Sequence, residues 1–144
     1  MVELTEKGLG YFSVFESVSR VMPSDFVESE NFLIFVVDPL QLGKAIGKNG
    51  SNIEKLSRMF KKKIVAVADS DDPEIFLRNF LKNVSVLGVE TRQVMNENAM
   101  IVTVDEKDRG IAIGRGGERI KALKELMKSK FNATVHIRTR RILG

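Results

Sequence analysis

Two short glycine-containing segments carry residues that suit the binding of phosphate groups. The first reads Ile46-Gly47-Lys48-Asn49-Gly50 and the second reads Ile113-Gly114-Arg115-Gly116-Gly117. Glycine lets another backbone approach closely and adopts dihedral angles that other residues avoid. A helix that begins at such a loop presents free N–H groups and the positive end of its dipole to an anion. With Lys48 or Arg115 near the tip, each segment suits the phosphates of a nucleic-acid strand.

The two segments belong to an internal repeat. The stretch 37–50 recurs 67 residues later as 104–117, and aliphatic residues recur after it, at Ile53 with Ile120 and at Leu56 with Leu123. A repeat with one loop in each copy predicts two tandem units of the same fold. We place the first domain at 1–70 and the second at 71–144, with the boundary in the acidic run from Asp69 to Asp72.

Hydrophobic spacing and turn residues predict the same series of elements in each copy. A helix and two strands precede each loop, a short helix runs into it, and a basic helix and a final strand follow it. In the first copy we place a helix within 4–21, strands near Asp25–Glu28 and Asn31–Val37, the basic helix up to Phe60, and a strand at 64–67. In the second copy the helix opens at Asp72-Pro73 and includes Leu77 to Val84, with strands near Val86–Val94 and Ala99–Val104, the basic helix up to Phe131, and a strand at 134–137. The fold class is therefore α+β.

Capping residues predict where the helices beside each loop begin. Asp38 followed by Pro39 is typical of an N-cap with proline at the first helical position. Asp105 with Asp108, and Ser51 with Glu54, have the spacing of a capping box, in which two side chains satisfy two backbone N–H groups. Each loop should therefore join two helices.

Composition excludes several classes of chemistry. The chain of 144 residues has no cysteine and one histidine, His136, so it lacks the residues for disulfides, for a usual zinc site, and for thiol or serine–histidine catalysis. We therefore expect no metal site and no cofactor. The longest unbroken apolar run, Phe32 to Val37, is far shorter than a membrane span. The N-terminus has no basic segment or apolar core typical of a signal peptide, so we expect a soluble cytoplasmic protein without a membrane partner.

The positive charge is concentrated around the two glycine loops. The net charge is +4 overall, but residues 1–38 carry −5, residues 43–63 carry +6 and residues 107–141 carry +8. Basic islands of this kind favour a polyanionic partner, although charged runs also occur on ordinary solvated helix faces.

Other uses of the glycines fit less well. A Walker A loop requires four residues between its glycines and then Lys-Ser or Lys-Thr, whereas Gly43 and Gly47 are separated by three and Asn49 replaces the hydroxyl. The dinucleotide fingerprint G-x-G-x-x-G does not occur in either loop. Two turns without any ligand would explain one glycine loop, but they explain two copies with matched basic flanks poorly.

The pattern I-G-x-x-G between two helices resembles the GxxG loop of the KH domain. Only 27 residues follow Gly117, which leaves room for one helix and one strand and therefore fits the prokaryotic-type (type II) order. Two such units in tandem resemble the archaeal NusA family of transcription termination and antitermination factors, on the stretches Val36 to Gly50 and Asp108 to Gly117. Bacterial relatives carry a polymerase-binding domain and an OB-fold domain ahead of the KH pair. We expect neither here.

The resemblance implies two type II KH domains, each α-β-β-α-α-β with the helices packed on one face of a three-stranded sheet. In KH domains the loop clamps the backbone of about four nucleotides while the bases lie in an adjoining apolar groove. For the groove we select Ile46, Val65 and Val67 in the first copy and Ile113, Val135 and Ile137 in the second. The implied RNA-binding residues are Lys44, Ile46, Gly47, Lys48, Asn49, Gly50 and Ser51, with Arg109, Ile113, Gly114, Arg115, Gly116, Gly117 and Arg119.

The implied function is binding of single-stranded nascent RNA to influence termination or antitermination, without catalysis. RNA polymerase is the second partner that the resemblance suggests. This protein would have to contact the polymerase without the N-terminal domain that bacterial relatives use. We expect a monomer. Two alternatives stay open at this stage. One is a KH module of the ribosome or of an RNA-processing assembly, and the other is a nucleotide-dependent enzyme that uses the glycine loops.

Overall fold

The computed structural model describes residues 6–142. The chain divides into two compact units between Asp71 and Asp72, one residue after the boundary that the sequence suggests. Each unit has the element order α-β-β-α-α-β and its own three-stranded sheet, which confirms the predicted α+β fold. Among the described residues, no helix has the length and apolar character needed to span a bilayer.

The first unit contains a sheet in which the strands have the order β1-β2-β3. Its elements are α1 (Glu6–Ser19), β1 (Asp25–Glu28), β2 (Phe32–Val37), α2 (Leu42–Ile46), α3 (Ser51–Phe60) and β3 (Lys63–Ala68). Residues 4 and 5 of the predicted first helix lie outside the described residues. Strand β2 consists only of aromatic, branched and leucine residues, runs antiparallel to β1 and parallel to β3, and is buried along its whole length.

The core of the first unit lies between one face of the sheet and the helices. Leu33, Phe35 and Val37 alternate along β2 and share this face. They pack with side chains from all three helices and both outer strands, namely Phe15, Ala45, Leu56, Phe26 and Ile64. The rings of Phe15 and Phe35 stack with their centroids 4.2 Å apart. The predicted one-sided packing of the helices is therefore confirmed in this unit.

The second unit repeats the same topology with longer strands. Its elements are α4 (Pro73–Phe80), β4 (Val86–Val94), β5 (Glu97–Asp105), α5 (Arg109–Ile113), α6 (Glu118–Phe131) and β6 (Ala133–Arg140). Strand β4 pairs antiparallel with β5, and β5 pairs parallel with β6. Met100, Val102 and Val104 alternate along β5 and are buried. The residues between them, Ile101 and Thr103, are half-buried.

Capping explains why the short elements begin where they do, and two predicted capping boxes are wrong. The carboxylate of Asp38 accepts a hydrogen bond from the N–H of Leu40 in the turn before α2, and that of Asp72 accepts from two N–H groups in the first turn of α4, as predicted. Asp105 also caps its turn, but the carboxylate of Asp108 accepts from the N–H of Ser85, 2.8 Å away, instead of closing a box. Ser51 is not a cap, because Gly50 precedes α3 in the left-handed conformation and no side chain caps that helix.

The first glycine of each loop is required by the fold itself. Gly47 has φ 82° and ψ 166°, and Gly114 has φ 79° and ψ 168°, a region that only glycine occupies readily. A Cβ atom on Gly47 would lie 2.9 Å from the backbone N of Asn52 in the next helix, and one on Gly114 would lie 2.6 Å from Cβ of Arg119. The last loop glycines, Gly50 and Gly117, are left-handed but have open space around the missing Cβ.

We expect Gly47→Ala to lower the free energy of unfolding by roughly 3 kcal/mol, because alanine would meet both an unfavourable conformation and a steric conflict. Gly50→Ala is the matched control and should cost about 1 kcal/mol, since only the left-handed conformation is penalised. Urea denaturation followed by circular dichroism measures both values. Equal losses in the two variants would contradict this account of the loop.

Candidate nucleic-acid interface

The tip of each glycine loop is exposed and lies between two helices. In the first unit the tip residues are Lys48 and Asn49, and in the second they are Arg115 and Gly116. Asn49 has φ 56° and Gly116 has φ 62°, so the same left-handed position is filled by asparagine in one copy and by glycine in the other. Asparagine is among the few residues that tolerate this conformation. Each tip therefore presents one long basic side chain beside a residue that readily adopts the left-handed backbone conformation.

Hydrogen bonds inside the loop use part of the backbone that the sequence suggested for anion binding. The N–H of Gly47 donates to the carbonyl of Gly43 over 3.0 Å, and the N–H of Gly50 donates to the carbonyl of Gly47 over 3.1 Å. The second loop repeats both bonds, over 2.9 and 3.0 Å. These four amides stabilise the turns. These N–H groups therefore already have partners within the loop.

The residues beside the loops differ between the two units. In the first, Lys44 on α2 and Ser51 at the start of α3 are exposed, and Ile46 is half-buried. In the second, Arg109 is exposed at the start of α5 and Ile113 is half-buried. The repeat aligns Lys44 with Ile111, so the basic residue before the loop, Arg109, stands two residues earlier in the second unit. The two loops therefore share a backbone but offer different side chains beside it.

Arg119 differs from the other predicted site residues because its guanidinium interacts within the fold. Its Nη2 donates to the carbonyl of Phe80 at the end of α4, 3.4 Å away, and its Cζ lies 6.0 Å from the centre of the Phe80 ring. Burial lowers the pKa of the Arg119 guanidinium below its ordinary value. The side chain thus links the start of α6 to the end of α4.

Asn52 occupies the equivalent position in the first unit, and the residues predicted from the loop motif do not include it. Its Nδ2 donates to the carbonyl of Lys44 in α2, 3.1 Å away, and so joins the helices on both sides of the loop. The signal was available in the repeat, which pairs residue 52 with residue 119. Both residues donate a hydrogen bond to a carbonyl in the last turn of a helix, where such groups lack partners within the helix.

Two of the six residues selected for apolar grooves are core residues. Val67 and Val135 are only 3% and 2% exposed, so neither is available to a base. Val65 and Ile137 are half-buried, as are Ile46 and Ile113 beside the loops. The remaining groove candidates are therefore one half-buried residue from the final strand and one from the short helix of each unit.

Comparisons with known proteins agree on the nature of these units. A family model described as the KH domain matches the chain twice, over residues 12–84 and 72–143. A protein of Halococcus morrhuae, named probable transcription termination protein NusA, is 30% identical over 134 residues, which cover 91% of this chain and 94% of that protein. The protein of the same name from Thermoplasma acidophilum is 25% identical over 131 residues, which cover 91% of each chain.

A solved structure is similar over almost the whole chain. The crystal structure of APE1850 has a TM-score of 0.77 at 30% sequence identity, and the match covers 95% of this chain and 100% of that one. Both glycine loops fall inside the segments that the KH model matches. With two glycine loops in two matched units, the chain belongs to the KH domain family and, within it, to the archaeal NusA family.

Proposed function

We propose that this protein is an RNA-binding transcription factor of the NusA type, which binds single-stranded nascent RNA through its two GxxG loops and influences transcription termination or antitermination. The observation that carries the proposal is the pair of exposed loop tips, each with a basic side chain on a backbone fixed by glycine. The curated relatives that match the chain are named as transcription termination proteins, which supports this role over a ribosomal or RNA-processing module.

The loops would act on the sugar-phosphate backbone. Lys48 and Arg115 supply mobile positive charge at the tips, and Gly116 or the left-handed Asn49 beside them adds little bulk. A phosphate near the tip gains a charge-assisted hydrogen bond, which is stronger than one between neutral groups. Half-buried Ile46 and Ile113 next to the loops are placed to contact bases. In this arrangement the protein binds RNA without chemically changing it.

RNA polymerase is the second partner that we propose, because termination and antitermination take place on the transcribing enzyme. We further propose that the protein acts as a monomer of 16.2 kDa. Affinity purification of the polymerase should recover the protein in the presence of nuclease, which removes RNA-mediated association. Light scattering coupled to gel filtration measures the mass. Recovery with ribosomal subunits and without polymerase would contradict the proposal.

Removing the tip charges should abolish specific RNA binding while the fold is retained. We expect Lys48→Asp with Asn49→Asp, or Arg115→Asp with Gly116→Asp, to weaken binding of an RNA of about 8 nucleotides by about tenfold each, and the four-site variant to lose binding of that short RNA. The tips are exposed, and a Cβ on Gly116 has open space, so the fold should tolerate the changes. Fluorescence anisotropy with a labelled unstructured RNA measures the affinity, and circular dichroism checks the fold.

Lys82 and Asn83 provide a matched control for these variants. They form the same dipeptide as Lys48-Asn49, are exposed, and lie in the turn between α4 and β4. Changing both to aspartate alters the net charge equally, but RNA affinity should fall little. The slope of log affinity against log salt should also decrease in the loop variants, by about 0.7 for each phosphate contact that is lost. Equal losses in the loop and control variants would contradict site-specific binding.

Arg115 and Arg119 should respond differently to the same substitution. We expect Arg115→Gln to weaken RNA binding without loss of stability, because its side chain is exposed. We expect Arg119→Gln to lower the free energy of unfolding by about 1 kcal/mol, because it loses the hydrogen bond to Phe80, with a smaller effect on RNA affinity. Urea denaturation and fluorescence anisotropy separate the two effects. If Arg119→Gln weakened RNA binding without lowering the free energy of unfolding, Arg119 would be an RNA ligand.

A further inference from the structure

The sheet of the second unit has a polar outer face that the GxxG loops do not use. The buried residues of β5 face the helices, so the alternate residues Ala99, Ile101 and Thr103 lie on the opposite face. Strand register places Arg92 beside Ala99, His136 beside Ile101, and Arg138 beside Thr103. Arg140 follows on the same side of β6. The four basic residues are exposed, and we call Arg92, His136, Arg138 and Arg140 the basic sheet face.

The first unit uses the same positions differently. Its register pairs Ile34 with Val65 and Val36 with Val67, where the second unit pairs Ile101 with His136 and Thr103 with Arg138. Ile34, Val36 and Val67 are buried, with exposures of 1%, 0% and 3%. The same fold therefore forms with aliphatic residues at these positions. Arginine at 138 is a property of the second unit and not a requirement of the topology.

Two carboxylates on this face, those of Glu90 and Asp105, compensate only part of its positive charge. Glu90 is the acidic neighbour on β4, and its Oε1 accepts a hydrogen bond from Nε of Arg92 over 2.8 Å. This bond and the charge of Arg92 hold the pKa of Glu90 below its ordinary value, and the charge of Arg138 contributes in the same direction. Asp105, opposite Arg140, is buried, and its carboxylate accepts from the N–H of Lys107. Among residues 6–142, neither Arg138 nor Arg140 has an ion-pair partner.

The spacing of these side chains suits a linear polyanion. Residues two apart on a strand are separated by about 6.6 Å and point to the same side, so β6 presents His136, Arg138 and Arg140 in one row. The phosphates of an extended RNA strand repeat at a similar distance. Arginine donates several hydrogen bonds in a fixed fork that matches a phosphate. Thr103 and Thr134 add hydroxyl groups on the same face.

We infer that the basic sheet face is a second RNA-binding surface, which holds the phosphate backbone of single-stranded RNA outside the stretch that the GxxG loops clamp. The inference rests on the proposed function in that RNA is the polyanion. It differs from the loop sites because it lies on the sheet face opposite the helices of the second unit. Its recognition is electrostatic and independent of base sequence.

The test uses a double variant that carries both Arg138→Gln and Arg140→Gln, and it measures the binding of two labelled RNAs. The short RNA has about 8 nucleotides, enough for two loops that clamp about four each, and the long RNA has about 30. We expect the double variant to bind the short RNA normally and the long RNA about five- to tenfold more weakly. The salt slope for the long RNA should fall by about 1.4, since two phosphate contacts are lost. An unchanged affinity and slope for the long RNA would overturn the inference.

Two further variants keep the test decisive. Arg78→Gln with Lys82→Gln removes the same charge from α4 and the turn after it, and should leave long-RNA binding unchanged. Arg138→Lys with Arg140→Lys keeps the charge and should restore most of the affinity. If the control variant loses as much affinity as the Arg138 and Arg140 variant, the effect is one of net charge and the inference is wrong. Circular dichroism verifies that each variant is folded.

Repeating the measurement in the four-site loop variant separates this inference from the proposed function. Residual binding of the long RNA that disappears with Arg138→Gln and Arg140→Gln supports the basic sheet face, whatever the loops do. Normal binding of the short RNA by the loop variant would instead contradict the proposed function. Sedimentation with phosphatidylserine vesicles tests the other anionic partner. Vesicle binding that depends on these arginines, with unchanged RNA affinity, would overturn the RNA assignment.

Discussion

The close approach of each loop to the helix that follows it governs the arrangement of the candidate interface. In the first unit the space beside Gly47 is filled by the backbone and side chain of Asn52, and in the second unit the space beside Gly114 is filled by Arg119. Because no Cβ fits and the dihedral angles belong to glycine, the chain must reverse there in one way. The tip is then held at a defined place while its side chains remain exposed. The fold therefore requires the first glycine of each loop whether or not a ligand is bound.

Around this fixed backbone the two units satisfy the same structural needs with different residues. The left-handed tip position is asparagine in one loop and glycine in the other. The residue in the first turn of the following helix is Asn52 or Arg119, and each donates to a carbonyl near the end of another helix. Carbonyl groups at helix ends need such partners from outside the helix. At this position the side chain must therefore be long enough to reach that carbonyl, and both asparagine and arginine meet this need.

The sequence predicted the architecture well because the repeat and the capping residues report on backbone geometry directly. The two capping-box predictions failed for the same reason. Spacing alone does not tell which group accepts a hydrogen bond from the free N–H groups at the start of a helix. Gly50 precedes α3 in the left-handed conformation, and Asp108 reaches Ser85, which is distant in sequence. Val67 and Val135 were misplaced in grooves because an apolar residue in a strand gives no sign of its exposure. The contact of Arg119 with Phe80 could not be predicted from the sequence, because it depends on how α4 packs.

The location of positive charge carries more information about RNA binding than its total. The chain has a net charge of only +4, and its first 38 residues are acidic. Salt screens exposed charges beyond about 10 Å, so a basic side chain acts on the phosphates that it can reach and hardly on distant ones. Whether a basic side chain such as Lys48, Arg115 or Arg138 can bind a phosphate therefore depends on the groups that lie beside it. Position 138 is occupied by an exposed arginine, whereas the equivalent position of the first unit holds a buried valine, Val67, so the two sheets present different charge at the same place in the fold.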